Sequence, residues 1–416
     1  MSAMSGSGPE CFDVVVAGGG MVGASLAAAL AGLPCRTLVV EAIPPVPGAA
    51  QPSYDDRATA IAEVGRRILD GIGCWDGMAH RAAPIRAIHV SERGAFGVTR
   101  LSAAEHGVAA FGHVVENRAI GAALWARLDA ADNVGVWAPA RVAGIEPHDD
   151  YVTVSILRGD GETVEVRARL LVAADGAGSP VRGMTGIGHD LREYGQTGVI
   201  ANVTPARQHR GTAWERFTPH GPLAVLPLPE GRATIVWTLP PGQAEGVMAL
   251  DDAEFLAALQ AAFGQRLGEF RRAGRRASYP LALTQSRGWV AGRVALVGNA
   301  AHGIHPVAGQ GFNLGLRDAA ALAEVVAGAD GDPGDAAALA DYAAWREADR
   351  ARTVRYTDGL VRLFTNGLMP MRAARGIGLV GLDLLPAARN ALGRRGMGLA
   401  GRLPRLALGQ PLMRSS

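Results

Sequence analysis

The sequence predicts an α/β protein in which a Rossmann-like domain is interrupted by an antiparallel-sheet domain and followed by C-terminal helices. Three observations predict this. The chain opens on a strand, a glycine turn, a helix and a second strand. Its middle carries short strands at roughly ten-residue spacing with Gly and Pro between them, and strand–helix alternation returns after Trp289. The resulting division places residues 11–80, 105–185 and 285–345 in the first, discontinuous domain. Residues 81–104 and 186–284 fall in the inserted sheet domain, and residues 346–416 in a C-terminal helical region.

In the opening unit, residues 13–17 (DVVVA) read as a short buried strand and 18–20 as the turn. Residues 21–33 read as an Ala-rich helix stopped by Pro34, and 37–40 (TLVV) as the returning parallel strand. The Pro-rich residues 43–53 read as a surface loop. The turn carries Gly18-x-Gly20-x-x-Gly23. In such a motif the first Gly permits the tight turn, the second lets backbone approach a pyrophosphate, and the third lets helix pack on sheet. The pyrophosphate would rest on a helix N-terminus, where unpaired N–H groups and the dipole favour an anion. Glu41 follows the second strand, placed to accept hydrogen bonds from ribose hydroxyls. The combination predicts dinucleotide binding.

A second motif follows the strand starting at Arg169: Asp175, Gly176, Ala177, Gly178 and Ser179, with Ser179 as N-cap and Pro180 as the first residue of a helix. The antiparallel set comprises residues 198–203, 212–217, 223–228 and 233–239, followed by a helix over 251–263. Residues 293–297 (RVALV) restore the parallel pattern and lead into a third motif from Gly298 to Gly315, with a helix over 311–326 and helical, Arg-rich chain from Ala343. Gly309 and Gly311 strip side chains from that helix start, so bare amides face a ligand.

Composition narrows the function. Apolar residues make up 48% and charged residues 19%, which excludes global disorder. All 41 basic residues are Arg, so Schiff-base and catalytic-ammonium chemistry is excluded. A formal charge of +2 argues against a dedicated nucleic-acid binder. Cys11, Cys35 and Cys74 form no C-x-x-C and read as buried structural thiols of a reducing compartment. No secretory signal precedes Cys11, and residues 12–33, although long enough to span a bilayer, hold Asp13 and the glycine turn. His302 and His305 have no third neighbour that would complete a metal site, so no metal is expected. His302 reads as a local hydrogen-bonding group. A Ser-His-Asp hydrolase lacks its G-x-S-x-G elbow.

Taken in order, the three motifs resemble the single-component (class A) flavin aromatic hydroxylases, whose architecture is the p-hydroxybenzoate hydroxylase fold. Within that group the chain is similar to the ubiquinone-biosynthesis hydroxylase family. The similarity is carried by Tyr54-Asp-Asp-Arg57-Ala-Thr-Ala-Ile61, Val115-Glu116-Asn117-Arg118, Gly221 to Pro227, and Gly309 to Asp318. It extends from Phe12 to about Arg405. Residues 358–366, 382–386 and 401–406, with Asn299 where most class A enzymes carry Asp, resemble the 2-polyprenyl-6-methoxyphenol hydroxylase branch.

The resemblance implies FAD as cofactor. It places Gly18, Gly20, Met21, Val22, Gly23 and Glu41 around the dinucleotide, and Arg57 and Arg118 near pyrophosphate and ribityl oxygens. Asp175 would fix the loop over the flavin, and Asn299 would meet the ribityl chain. The amides of Gly309, Gln310, Gly311, Phe312 and Asn313 would meet the flavin's pyrimidine edge. His305 and Pro306 would lie on the substrate side, and no general base stands out. The implied reaction is hydroxylation of a polyprenylated phenol in ubiquinone biosynthesis through a flavin C4a-hydroperoxide, with O2 as co-substrate. There is one GxGxxG, so electrons come from transiently bound NAD(P)H or from a separate electron-transfer protein. Two other readings remain open: a hydroxylase of a soluble aromatic or polyketide phenol, and a non-catalytic flavin-binding subunit of a membrane-associated assembly.

From Gly359 to Ser416 there are nine Arg and one Asp, a local charge of +8. A basic, Leu-rich tail suits peripheral contact with the inner face of the cytoplasmic membrane, with a lipid-carrying partner, or with a ubiquinone-biosynthesis complex; packed helices with exposed Arg explain it equally. One aromatic in that stretch, Phe364, offers no platform for nucleic-acid bases.

Overall fold

The computed structural model describes residues 9–44, 57–94, 97–304, 309–329, 331–365, 376, 378, 381 and 383–413. It has the predicted α/β class: a mainly parallel sheet with helices, and a separate, mainly antiparallel sheet.

The parallel sheet is built on the Glu10–Ala17 strand, whose Val14, Val15 and Val16 are fully buried. Thr37–Val40 lies on one side of it and Thr163–Ala173 on the other, both parallel to it. Val134–Trp137 and Val294–Leu296 extend the sheet in parallel at the two sides. Strands buried on both faces read as continuous apolar runs, which is why VVV and TLVV could be identified from sequence. The first helix ends earlier than expected, at Leu30 instead of Leu33. Its last turn tightens, with Leu33 N–H donating to Leu30 O, as the chain passes Gly32 and approaches Pro34.

The second sheet is longer than the sequence suggested. Its spine is His189–Pro205, a 17-residue strand between Ala277–Ser286 and Ala233–Leu239. Beyond these lie Gly221–Pro227, Thr212–Thr218, Ala87–Glu92 and Val98–Ser102. The meander is antiparallel as expected, except that Thr212–Thr218 pairs in parallel with Ala87–Glu92. That strand arrives from a distant part of the chain, so no hairpin constrains its direction. Helix Asp252–Phe263 covers one face of this sheet, begun by a capping box in which Asp251 and Glu254 each accept the other's backbone N–H. The other face is left to line a cavity.

Cys35 and Cys74 are buried, and burial raises their thiols to about 11 and about 12. Cys11 is exposed, contrary to the expectation of three buried thiols. The reason is its position near the outer end of the first strand. The 43–53 loop lies outside the described residues from 45 onward. Among the described residues, no helix is long and apolar enough to cross a membrane.

A third, three-stranded sheet pairs Gly112–Glu116 with Ala58–Ala62 and Ala83–Pro84, and the last residue of its central strand is tied to the second sheet. Glu116, whose side chain is 2% exposed, accepts from Arg81 and Arg118 and, across to the second sheet, from Arg232 (2.9, 3.1 and 2.9 Å). Burial alone would raise this carboxyl, but hydrogen bonds from Arg81, Arg232 and Arg118 outweigh it and hold the group at about 2. A depressed folded value means that the stabilisation is complete above the ordinary 4.5 and is lost as pH falls toward 2. Glu116→Gln is therefore expected to cost roughly 1–3 kcal/mol at neutral pH and to flatten the acid limb of stability against pH. Urea titrations across that pH window check this; an unchanged acid limb contradicts it.

Candidate functional site

The three glycine motifs meet at the C-terminal edge of the parallel sheet. Gly18 has φ +101°, and a Cβ there would lie 2.6 Å from Ala174 O, so the first turn sits against the start of the second motif. At Gly23 an added Cβ would come within 1.9 Å of Gly18 O, which forces Gly if the helix is to leave the turn so steeply. Gly315 performs the same service for the third motif: its Cβ would fall 2.8 Å from Val22, so the Met21–Leu30 and Gln310–Gly328 helices pass at close range.

Both helices begin at Gly, at Gly20 and Gly309, with no side-chain cap. Their first residues line one cavity of about 950 Å³: Gly20, Met21 and Val22 from one helix, Gly309 to Asn313 from the other. Two uncapped N-termini facing one cavity leave several N–H donors for a ligand, and the dipoles favour negative charge there. The donor set fits a dinucleotide with an anionic pyrophosphate and a polar ring edge. The cavity's other wall is the uncovered face of the second sheet, including Ile88, Ala213, Phe217, Leu226 and Val236. The Pro386–Gly396 helix closes part of it through Leu392, Gly393 and Gly396.

The expected site residues fall into three groups. Gly20, Met21, Val22, Arg57, Asn299 and Gly309 to Asn313 line the cavity. Gly18, Gly23, Glu41, Asp175 and Arg118 stand outside that lining. Glu41 Oε2 accepts from Gly19 N–H, and Arg118 donates to Glu116. Asp175 Oδ2 accepts from Val181 N–H (3.1 Å), and burial raises its carboxyl above the ordinary range. Ser179 caps the following helix by accepting from Arg182 N–H, as expected. His305 and Pro306 lie outside the described residues.

The Asn313 side chain bonds within the protein. It accepts from Ala62 N–H (2.8 Å) and donates to Ala60 O and Gly309 O (2.8 and 2.7 Å). It thereby clamps the helix start to the Ala58–Ala62 strand, next to Arg57. The residue still lines the cavity together with Gly309 to Phe312.

His302 is not a locally bonded group. Its Nε2 lies 2.6 Å from Oδ2 of Asp318, a fully buried carboxylate that also accepts from Gly298 N–H (3.0 Å) and Arg346 Nε (2.7 Å). Burial opposes ionisation of Asp318, but the charges of His302 and Arg346 outweigh it and hold its carboxyl below the usual range. Arg346 also donates to Asp349, as does Arg317 (both 2.8 Å). This network pins the third motif to the long Ala336–Thr365 helix, which starts before the expected Ala343. Sequence reasoning quoted Asp318 in its motif without a role. The signal was an Asp two turns into a helix, followed by the apolar run Ala319 to Ala323, since a carboxylate placed in such a run requires partners.

A second missed residue is Glu215, which lines the cavity from the Thr212–Thr218 strand. The signal was alternation: Ala213 and Phe217 flank it on one face, and an apolar face with a carboxyl at its centre marks a site.

Residues 11–357 match the family model described as FAD binding domain. Ubiquinone hydroxylase UbiL of Rhodospirillum rubrum is 40% identical over 98% of this chain and 95% of its own length. The 3-demethoxyubiquinol 3-hydroxylase of Escherichia coli is 34% identical over 89% of this chain and 94% of its own. The crystal structure of p-nitrophenol 4-monooxygenase PnpA from Pseudomonas putida superposes with a TM-score of 0.79 at 22% identity, covering 94% of this chain and 99% of that one, which shows the shared fold.

Asp318→Asn removes the charge at the centre of the buried network while keeping its shape. Leaving Arg346 and His302 without their counter-charge is expected to cost about 3–5 kcal/mol. Chemical denaturation of the variant checks this; a loss below about 1 kcal/mol, the scale of an exposed pair, would show that the network does not hold the helix.

Proposed function

The chain belongs to the ubiquinone-biosynthesis hydroxylases, FAD-dependent monooxygenases built on an FAD binding domain, and from that premise we propose that it hydroxylates the ring of a polyprenylated phenol. The observation that carries the substrate class is the cavity. It is amide-rich along the two helix starts, and aliphatic along a sheet wall that runs on to the C-terminal helix. The flavin and a phenol ring fill the amide-rich part of that space; an isoprenoid chain accounts for the aliphatic part.

In this reading Gly18, Gly20, Met21, Val22 and Gly23 receive the FAD pyrophosphate and Glu41 the ribose. Arg57 and Arg118 supply positive charge, and Asp175 holds the adjoining loop. Asn299 meets the ribityl chain and the amides of Gly309 to Asn313 the pyrimidine edge. His305 and Pro306 stand on the substrate side. Bound FAD, reduced by NAD(P)H or by a separate electron-transfer protein, supplies the O2 activation that inserts one oxygen atom into the ring. The chain holds that ring against the helix start, orients it with the apolar sheet wall and keeps water out.

The tail fits the same reading. Leu384 and Leu385 are 72% and 60% exposed just before the helix that closes the cavity, in the stretch with nine Arg and one Asp. We place this end of the protein against an anionic membrane surface or a lipid-carrying partner, from which the substrate would enter.

Two experiments test the proposal. An added Cβ at Gly311 meets no atom within 4 Å, so Gly311→Asp is expected to fold normally. It brings a negative charge to the flavin-facing helix end, so FAD content is expected to fall at least tenfold. A folded variant with stoichiometric FAD would move the cofactor elsewhere. Deletion of the gene is expected to accumulate a 6-methoxyphenol precursor with an unchanged polyprenyl chain in lipid extracts, read by mass spectrometry. Unaltered ubiquinone would refute the substrate class.

A further inference from the structure

Period-2 alternation puts Ala213, Glu215 and Phe217 on the cavity face of their strand, while Trp214 on the opposite face packs edge-on against Phe263 (6.3 Å between centroids). In register, Glu215 stands beside Val90 of one neighbouring strand and Ala224 of the other, and both also line the cavity. Among the described lining residues Glu215 is the only carboxylate, and it makes no hydrogen bond or ion pair with any described residue. The protein surrounds it, yet it is not sealed from solvent, because it opens on the cavity. Placing a carboxyl in an aliphatic wall without a partner is costly, and none of the described residues bonds to it. Its use is therefore to be sought in what fills the cavity.

We propose that Glu215 is the general base that takes the phenolic proton of the bound substrate. The assignment rests on the phenol reading above. In this step the phenol O–H bond breaks, the proton moves to a Glu215 carboxylate oxygen, and the electron pair remains on the phenol oxygen, where it enriches the ring carbon that accepts oxygen. When that carbon loses its hydrogen as a proton to solvent and aromaticity returns, Glu215 gives its proton back to the phenol oxygen. The carboxylate is restored and no further electrons are needed.

Burial alone pushes the Glu215 carboxyl from 4.5 up to about 7, which suits proton exchange near neutral pH. The groups around it do not reverse this. Tyr356, on the long helix, is raised to about 12 by burial and by the Glu215 charge, against Arg395. Tyr279, on the Ala277–Ser286 strand, is raised to about 12 by burial, against Arg57. Arg57, before the Ala58–Ala62 strand, is the other charged group in the described lining. Arg216 and His89 project from the opposite face of the sheet.

The test uses FAD-loaded wild type, Glu215→Gln and Glu215→Asp with a 6-methoxyphenol carrying a short prenyl chain, measuring FAD content, hydroxylated product and kcat across pH. Below about 7 the carboxyl is protonated and cannot accept a proton. Wild-type kcat is therefore expected to rise about tenfold per pH unit up to that value and then level off. Glu215→Gln is expected to keep its FAD, lose about 10²-fold or more in kcat and lose the break near 7. Glu215→Asp is expected to recover part of the rate together with a break. A Glu215→Gln enzyme with wild-type kcat and the same break, or with a change in KM alone, overturns the assignment. A wild type that binds FAD but does not hydroxylate the phenol overturns the substrate reading instead.

Discussion

The Asp318 carboxylate is the interaction on which the site depends. It is fully buried, and its three partners come from two separate elements: Gly298 N–H and His302 from the segment after the last parallel strand, Arg346 from the long helix. A buried charge with one partner missing is strongly destabilising, so the three arrangements are established together. Asp318 lies on the same helix as Gln310 to Asn313. Fixing it therefore fixes the axis along which those amides point. Their preorganisation is what lets backbone donors hold an anion without side-chain help.

Arg is needed in that network by geometry. The Arg346 guanidinium gives Nε to Asp318 and Nη2 to Asp349, while Arg317 gives Nε to the same Asp349. One planar fork thus bridges the two carboxylates. A single ammonium is a point charge and does not span two acids in this way. Burial would raise Asp349, but the Arg317 and Arg346 charges outweigh it and hold it at about 2. The absence of Lys reads as an accident of composition in the sequence, yet the fold has come to use the guanidinium shape.

What could be read from the sequence was whatever is decided within a few residues. The Gly18–Gly23 turn, the Ser179 cap and the fully apolar strands are local devices, and each occurs where expected. What could not be read depends on partners brought from afar. Thr212–Thr218 runs parallel to Ala87–Glu92 because of a strand more than a hundred residues earlier, and His302 finds Asp318 on a different element. Arg118 and Asn313 were legible as members of a motif. Their bonding to Glu116 and to Ala60–Ala62 was not.

Glu215 shows why a site can be invisible until both of its neighbours are known. On a lone strand, alternate residues face either core or water, and a Glu is ordinarily placed in water. Only the pairing of Glu215 with Val90 and Ala224 shows that its face is apolar throughout. That apolar character follows from the cavity's other task. A wall that accepts an isoprenoid chain must be aliphatic, and an aliphatic wall withholds the solvation that ionises a carboxyl. The same surface that admits a lipid substrate thereby lifts Glu215 to about 7 with no dedicated partner to do it. In a wetter pocket built for a soluble phenol, the same carboxyl would stay ionised near its ordinary value and would be a weaker base. The substrate's tail and the proton transfer at its ring are thus linked through one property of the sheet.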